Sequence, residues 1–134
     1  MASPLEAHHI SITINRAFAE VNDFVSQPAN FEQWAAGLGQ GFKQVNGAEW
    51  VFGTGDNLAK IRFTEKNPFG VVDHYVYPQP DVEIYVPMRV VANEDGSEVI
   101  FTLFRRPEMT DQELAGDSAA VLRDLETLKA LLEA

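Results

Sequence analysis

The last third of the chain most narrows what it can fold into. Thr110-Asp111-Gln112-Glu113 has the S/T-x-x-E form in which an N-cap hydroxyl and an N3 carboxylate each satisfy an orphan backbone amide. Met109 and Leu114 flank it at the positions of a hydrophobic staple, and Pro107 keeps the preceding strand from running on. Downstream, Leu114, Ser118, Val121, Leu125, Leu128 and Leu132 recur at spacings of four and three, with Leu122 and Leu131 widening the stripe. Arg123, Asp124, Glu126, Lys129 and Glu133 take the other side. The pattern predicts one amphipathic helix from about Thr110 to Glu133, roughly 36 Å long at about 1.5 Å per residue, with a face meant for burial. Packing on a sheet accounts for that face better than a coiled coil, because the stripe is wider than an a/d seam.

Upstream, Ile10, Ile12 and Ile14 alternate with Ser11, Thr13 and Asn15, the mark of a half-buried strand over His8–Asn15. Two short helices are expected next. The first carries Phe18, Val21, Phe24 and Val25 on one face; the second opens at Pro28 and lines Phe31, Trp34 and Ala35 until Gly37. Gly37-Leu38-Gly39-Gln40-Gly41 superficially resembles a phosphate-cradling loop. Such loops leave a strand and open a helix, whereas this one does the reverse, so it reads as a turn.

From there strands are expected near Phe42–Val45, Glu49–Gly53, Leu58–Glu65, Gly70–Tyr77, Val82–Ala92 and Glu98–Arg105. Asn46-Gly47, Gly55-Asp56-Asn57, Lys66-Asn67-Pro68, Pro78-Gln79-Pro80 and Glu94-Asp95-Gly96 punctuate them. The class is α+β: an antiparallel meander of six to seven strands, one long terminal helix, and two short helices between strands 1 and 2. A twisted sheet of that size curls, and the space between it and the helix is where a cavity would lie.

Length and the absence of any linker or repeat predict one domain spanning 1–134. With no cysteine, disulfides, thiolate zinc sites and cysteine nucleophiles are excluded. The formal charge of −10, with Arg105-Arg106 an isolated basic pair, disfavours nucleic acid and anionic membranes. No stretch is apolar enough to insert into a membrane, and Met1–Ala7 lacks the form of a signal peptide, so a cytoplasmic location is expected. His8 and His9 face apart in one strand, and three scattered histidines make no metal spacing. Neither a metal nor a cofactor is expected.

The densest chemistry lies in Val71-Val72-Asp73-His74-Tyr75-Val76-Tyr77. Neighbouring strand residues face opposite sides, so Asp73 and His74 are separated. If Val72, His74 and Val76 face inward, a hairpin sets them against Val82, Ile84 and Val86, leaving Asp73, Tyr75, Glu83 and Tyr85 outside. His74 is then the polar exception in an apolar row. It reads either as a neutral structural imidazole or as a ligand anchor and candidate catalytic acid/base. Pro87 cannot donate to a ladder and marks an edge or a bulge; a bulge would turn Arg89 inward, and without one it is a surface cation near Glu83.

The order of elements, with HHISITINRAFAEVNDFVSQPANFEQW, GVVDHYVY, VPMRVV and SEVIFTLFRRPEMTDQELAGD, resembles the START-like (SRPBCC) superfamily, in particular small bacterial members of its polyketide cyclase/dehydrase branch. Asn15-Arg16-Ala17 departs from the proline often found at that junction. The resemblance implies a helix-grip fold whose sheet wraps the terminal helix around a deep hydrophobic cavity. The superfamily includes lipid carriers, hormone receptors, coenzyme-Q-binding proteins, aromatase/cyclases and chaperone co-factors, so the fold does not fix the activity.

Three functions follow as expectations. The first is binding of a small hydrophobic molecule (lipid, quinone or polyketide-like) by His74, Phe63, Val72, Val86, Met88, Phe101, Val121, Leu122 and Leu125. The second is a cyclase, dehydratase or hydrolase in the same cavity with His74 moving a proton. The third is a protein-interaction module presenting Tyr75, Tyr77, Tyr85 and Pro87 to a protein partner.

Overall fold

The C-terminal helix forms as its sequence demands. In a computed structural model, which describes residues 3–35, 41–54 and 57–134, α3 runs over Asp111–Glu133. Thr110 is its N-cap and both hydrogen bonds of the capping box are present. Met109 and Leu114 are buried beside it. Leu125 and Leu128 are fully enclosed, each burial contributing roughly 1.5–3 kcal/mol. The buried stripe is narrower than its leucines suggest: Leu122 and Leu131 are 43% and 41% exposed. The far end of α3 is tied to the first strand by Lys129 Nζ donating to the Thr13 carbonyl (2.8 Å) and Glu133 accepting from the Asn15 amide (2.8 Å).

Ahead of α3 lie β1 (Glu6–Ile14), α1 (Phe18–Val25), a 3-10 turn at Pro28–Asn30, α2 (Phe31–Trp34), then β2 (Lys43–Gln44), β3 (Glu49–Thr54), β4 (Asn57–Phe63), β5 (His74–Gln79), β6 (Val82–Val86), β7 (Met88–Asn93) and β8 (Gly96–Arg105). This is the α+β helix-grip arrangement, an antiparallel sheet against a long terminal helix with two short helices after β1. The two glycine-bearing turns, Gly37–Gly41 and Gly55–Asn57, lie largely outside the described residues.

The expected single strand Val82–Ala92 is two. β2 to β6 form a meander in sequence order, and β7 leaves it to pair with β8, which also pairs with β1. The change of partner falls at Pro87, whose missing N–H cannot continue a ladder. Its carbonyl accepts from Thr102 of β8 (2.9 Å), so the kinked chain stitches the two sheets together. Alternation survives the kink: Val86, Met88 and Val90 are all buried.

The segment before β5 runs beside β7, where Val72 N–H donates to the Met88 carbonyl and Val90 N–H to the Gly70 carbonyl (2.9 and 2.8 Å). Gly70 has φ +74°, and a Cβ there would lie 2.1 Å from the Val90 carbonyl oxygen. Only glycine allows the two backbones to meet so closely. That contact places the next residues, Asp73 and His74, at the junction of the sheets.

Candidate functional site

His74 opens β5, in register with Phe63 of β4 and Val86 of β6. It faces inward, as its row of apolar neighbours predicts, and is 3% exposed. Phe31 meets its ring edge-on at 5.3 Å, with Phe63 and Phe101 at 6.0 and 6.3 Å. Nδ1 lies 3.2 Å from the Val72 carbonyl. A carbonyl only accepts, so this contact puts the proton on Nδ1 and leaves Nε2, at the far end of the ring, as an acceptor. Burial pushes the His74 pKa down to about 4, against weaker upward pulls from that hydrogen bond and from the Asp73 charge. The imidazole is therefore neutral at physiological pH.

Beside this ring lies a cavity of about 340 Å³ between the sheet and α3. His74, Val76, Ile84 and Val86 come from the β5–β6 hairpin, and Phe101 and Leu103 from β8. Val121 and Leu125 of α3 face them, with Ala120 alongside, and Phe31, Trp34 and Ala35 close one end. Arg106, Asp117 and Asp124 complete the lining with charge. Phe31 links the closing end to the imidazole, since its ring lies 4.7 Å from that of Trp34.

Five of the nine residues expected to meet a ligand line this cavity: His74, Val86, Phe101, Val121 and Leu125. Four lie elsewhere. Val72 and Met88 are packed into the core, Phe63 packs against that core on the same face of the sheet as His74, and Leu122 faces solvent. Leu122 follows Val121 by one position, about 100° around the helix, which is enough to carry it off the buried stripe. Phe31, Trp34 and Ala35 were recognisable as the apolar face of a short helix, and Val76 and Ile84 as part of the inward row. Nothing local to their sequence shows that these faces converge on one space.

The opposite side of β5 carries a different site. Asp73 Oδ1 accepts from the Met88 backbone amide (2.8 Å) and Arg89 Nε (2.9 Å), and Oδ2 from Arg89 Nη2 (2.9 Å) and Tyr85 Oη (3.1 Å). The kink at Pro87 takes Met88 away from the β5–β6 ladder, and the carboxylate supplies the acceptor its amide needs. Burial alone would raise the Asp73 pKa; the hydrogen bonds from Arg89, Met88 and Tyr85 outweigh it and hold the carboxyl below its usual range. Arg89 thus faces outward, as an unbulged strand predicts. Its partner is Asp73 rather than Glu83, which accepts from Tyr77 Oη instead (2.7 Å).

On the same outer face Tyr75 and Tyr85 stack at 5.0 Å and Tyr85 stacks on Phe104 at 6.2 Å. Arg62 lies 4.8 Å above the Tyr75 ring and Lys60 5.1 Å above that of Tyr77. The aromatics proposed from sequence as a docking patch are therefore already engaged with one another and with cations of their own sheet. Among the described residues, no group of three or more His, Asp or Glu is gathered as a metal site would need, and no helix is long and apolar enough to cross a membrane.

No family model and no curated protein matches the chain. Solved structures do. DynU16, from the dynemicin biosynthetic locus, is 17% identical over 98% of this chain with a TM-score of 0.73; the match covers 48% of DynU16, so the chain spans about half its length. Aha1 from Colwellia psychrerythraea, solved as a dimer, is 16% identical with a TM-score of 0.73, covering 96% of this chain and 97% of Aha1. CalU16 from Micromonospora echinospora is 14% identical with a TM-score of 0.67, covering 94% of this chain and 73% of CalU16. The chain has the START-like fold that these proteins share.

Proposed function

We propose that this START-like helix-grip chain, one domain over residues 1–134, binds a single small hydrophobic molecule between its sheet and α3. The observation that carries the reading is the cavity itself: about 340 Å³, walled mainly by aliphatic and aromatic side chains, with His74, Arg106, Asp117 and Asp124 as the ionisable groups in its lining. Sites for small molecules are mostly apolar with sparse polar anchors, and run from roughly 300 to 1,000 Å³. This one stands at the small end, which suits one compact ligand and excludes a two-chain lipid. The anchors of the reading are His74 and Phe101 from the sheet and Val121 and Leu125 from the helix.

Proton transfer by His74 is the weaker alternative, because a base with a pKa near 4 holds little affinity for a proton at neutral pH. The Asp73 carboxylate beside it in sequence is committed to Arg89 and Met88 on the other face, so no second titratable group assists the imidazole from within the strand.

Native mass spectrometry of the purified protein, together with melting curves against a panel of quinones, aromatic polyketides and single-chain lipids, tests the reading. A ligand at a hundred times its Kd stabilises by about 2.7 kcal/mol, which raises Tm by several degrees in a chain of this size. Val121→Trp, which fills the cavity from the helix side, should remove that rise. If no compound co-purifies, and none of the panel moves Tm, the cavity is not a binding site.

A further inference from the structure

The first strand carries an edge with free backbone groups. In an antiparallel ladder a residue's N–H and C=O point to the same side, and successive residues alternate. Thr102 N–H donates to the Pro87 carbonyl, so Thr102 faces β7, and its neighbours Phe101 and Leu103 face β1, where they pair with Ile10 and His8. The even-numbered residues of β1 therefore bond β8, and Ala7, His9, Ser11 and Thr13 turn their backbone groups away from the sheet. Lys129 Nζ agrees with that direction, since it donates to the Thr13 carbonyl from α3. Among the described residues no hydrogen bond reaches the amides or carbonyls of Ala7, His9 and Ser11, and all three residues are exposed.

Open edges invite another strand, and proteins guard against this with lysines, prolines or bulges. β1 has none of these: Glu6–Ile14 contains neither Lys nor Pro, and its register with β8 is unbroken. In a chain of net charge −10, Glu6 is the single carboxylate of this strand. Lys129 limits what can be added, because it already occupies the carbonyl of Thr13. Ala7, His9 and Ser11 remain, and under a two-fold rotation that set is its own complement. Ala7 meets the partner's Ser11, His9 meets the partner's His9, and each pair is placed to exchange two hydrogen bonds.

We propose that two copies of this chain associate through β1, antiparallel about a two-fold axis at His9, and so join their β1–β8–β7 sheets into one. Leu122 favours a second copy over an unrelated peptide. It precedes Lys129 by two helical turns, about 10 Å, and so lies on the side of α3 that reaches this edge. Lys129 meets Thr13 and Glu133 meets Asn15, so α3 and β1 run the same way and Leu122 stands near the level of Ile10. Leu122 is 43% exposed and Ile10 is only partly buried. In the pairing the partner's Ile10 arrives opposite His8 on the same face as Ile10, and the two isoleucines and two leucines close over one apolar seam. At its end Glu6 lies opposite the partner's Ile12, one residue from the Thr13 that anchors the partner's Lys129, so opposite charges meet where the strands part. An edge this short buries less than an obligate dimer needs, which makes the association reversible. It is independent of what the cavity holds.

Sedimentation velocity at near-physiological salt, from about 10 μM to about 0.5 mM protein, should show a dimer whose share grows with concentration. Ser11→Pro removes an amide that faces the open edge and leaves the bonds to β8 in place, while His9→Lys sets two like charges side by side at the axis. Each should weaken dimerisation at least roughly tenfold. Amide exchange in the unmodified protein reads the same edge even where a variant fails to fold. Ala7, His9 and Ser11 should gain protection as concentration rises, with Ile10 and Ile12 protected throughout. A single monomeric species across the whole range overturns the proposal. So does a dimer that both variants leave intact, which would place the interface elsewhere. Protection of the three amides that ignores concentration also overturns it, because the edge would then be covered within one copy or by a co-purified peptide.

Discussion

Asp73 and His74 are adjacent in the chain and stand on opposite sides of the same strand, and their surroundings treat charge in opposite ways. The outer site surrounds a carboxylate with four hydrogen bonds and keeps it ionised. The inner site surrounds an imidazole with aromatic rings and one carbonyl and keeps it neutral. The contrast separates two tasks that one strand performs. Outside, charge holds together the place where β6 gives way to β7; inside, an uncharged imidazole among aromatic rings keeps its end of the cavity fit for an apolar ligand. Even a negative charge one residue away does not make His74 basic, since burial outweighs it.

Removing the outer site should have the largest effect. Asp73→Ala leaves the Met88 amide without an acceptor and Arg89 without its counter-ion. The Arg89 side chain is 48% exposed, so the ion pair itself contributes at most about 1 kcal/mol, and the orphaned Met88 amide adds about 1–3 kcal/mol, giving an expected loss of roughly 2 to 4 kcal/mol. Urea unfolding should show a lower midpoint with an unchanged m-value, which marks lost stability rather than a changed unfolded state. A loss below about 1 kcal/mol would mean that the kink at Pro87 holds without the carboxylate.

Acid separates the two residues by the pH at which each fails. Unfolded His74 titrates near 6.5 and folded His74 near 4, so between these values the unfolded chain takes a proton that the folded chain refuses. Stability is full above about pH 6.5 and falls as pH drops towards 4, by up to about 3 kcal/mol. Asp73 is shifted in the same direction, with a folded pKa below the ordinary 3.8, but because hydrogen bonds favour its charged form rather than because burial penalises it. Its contribution is present above that value and is lost only as pH falls further, through the folded pKa. Denaturant midpoints measured across pH should therefore decline in two steps, and His74→Phe should erase the first alone. A first step that persists in this variant would assign it to another group.

Much of this contrast was legible from residue types and periodicity. The capping box at Thr110, the inward row through His74 and the outward parity of Asp73 and Tyr85 all follow from local pattern, because each depends on one strand or one helix at a time. The partners of Arg89 and the walls of the cavity do not. Asp73 meets Arg89 only because Gly70 lets two backbones approach and Pro87 moves β7 onto β8, a matter of how strands change sheets. The same holds for Trp34 and Leu103, which reach the cavity from elements far apart in sequence. Leu122 shows the converse: its residue type suits a core, yet its position on a real helix turns it outward.

The smallest change probes whether the outer site acts as a unit. Tyr85 Oη gives Asp73 a fourth hydrogen bond at 3.1 Å, while the ring stacks between Tyr75 and Phe104. Tyr85→Phe keeps the stacking and deletes the donor, so a loss of at most about 1 kcal/mol is expected, the net worth of one such bond. Combined with Arg89→Met in a double-mutant cycle, the two substitutions should cost less together than the sum of each alone, because both act through one carboxylate. Strict additivity would show that Tyr85 and Arg89 hold Asp73 independently. The outer face would then be a set of separate contacts, and its contrast with the inner site would reduce to the single pair between Asp73 and Arg89.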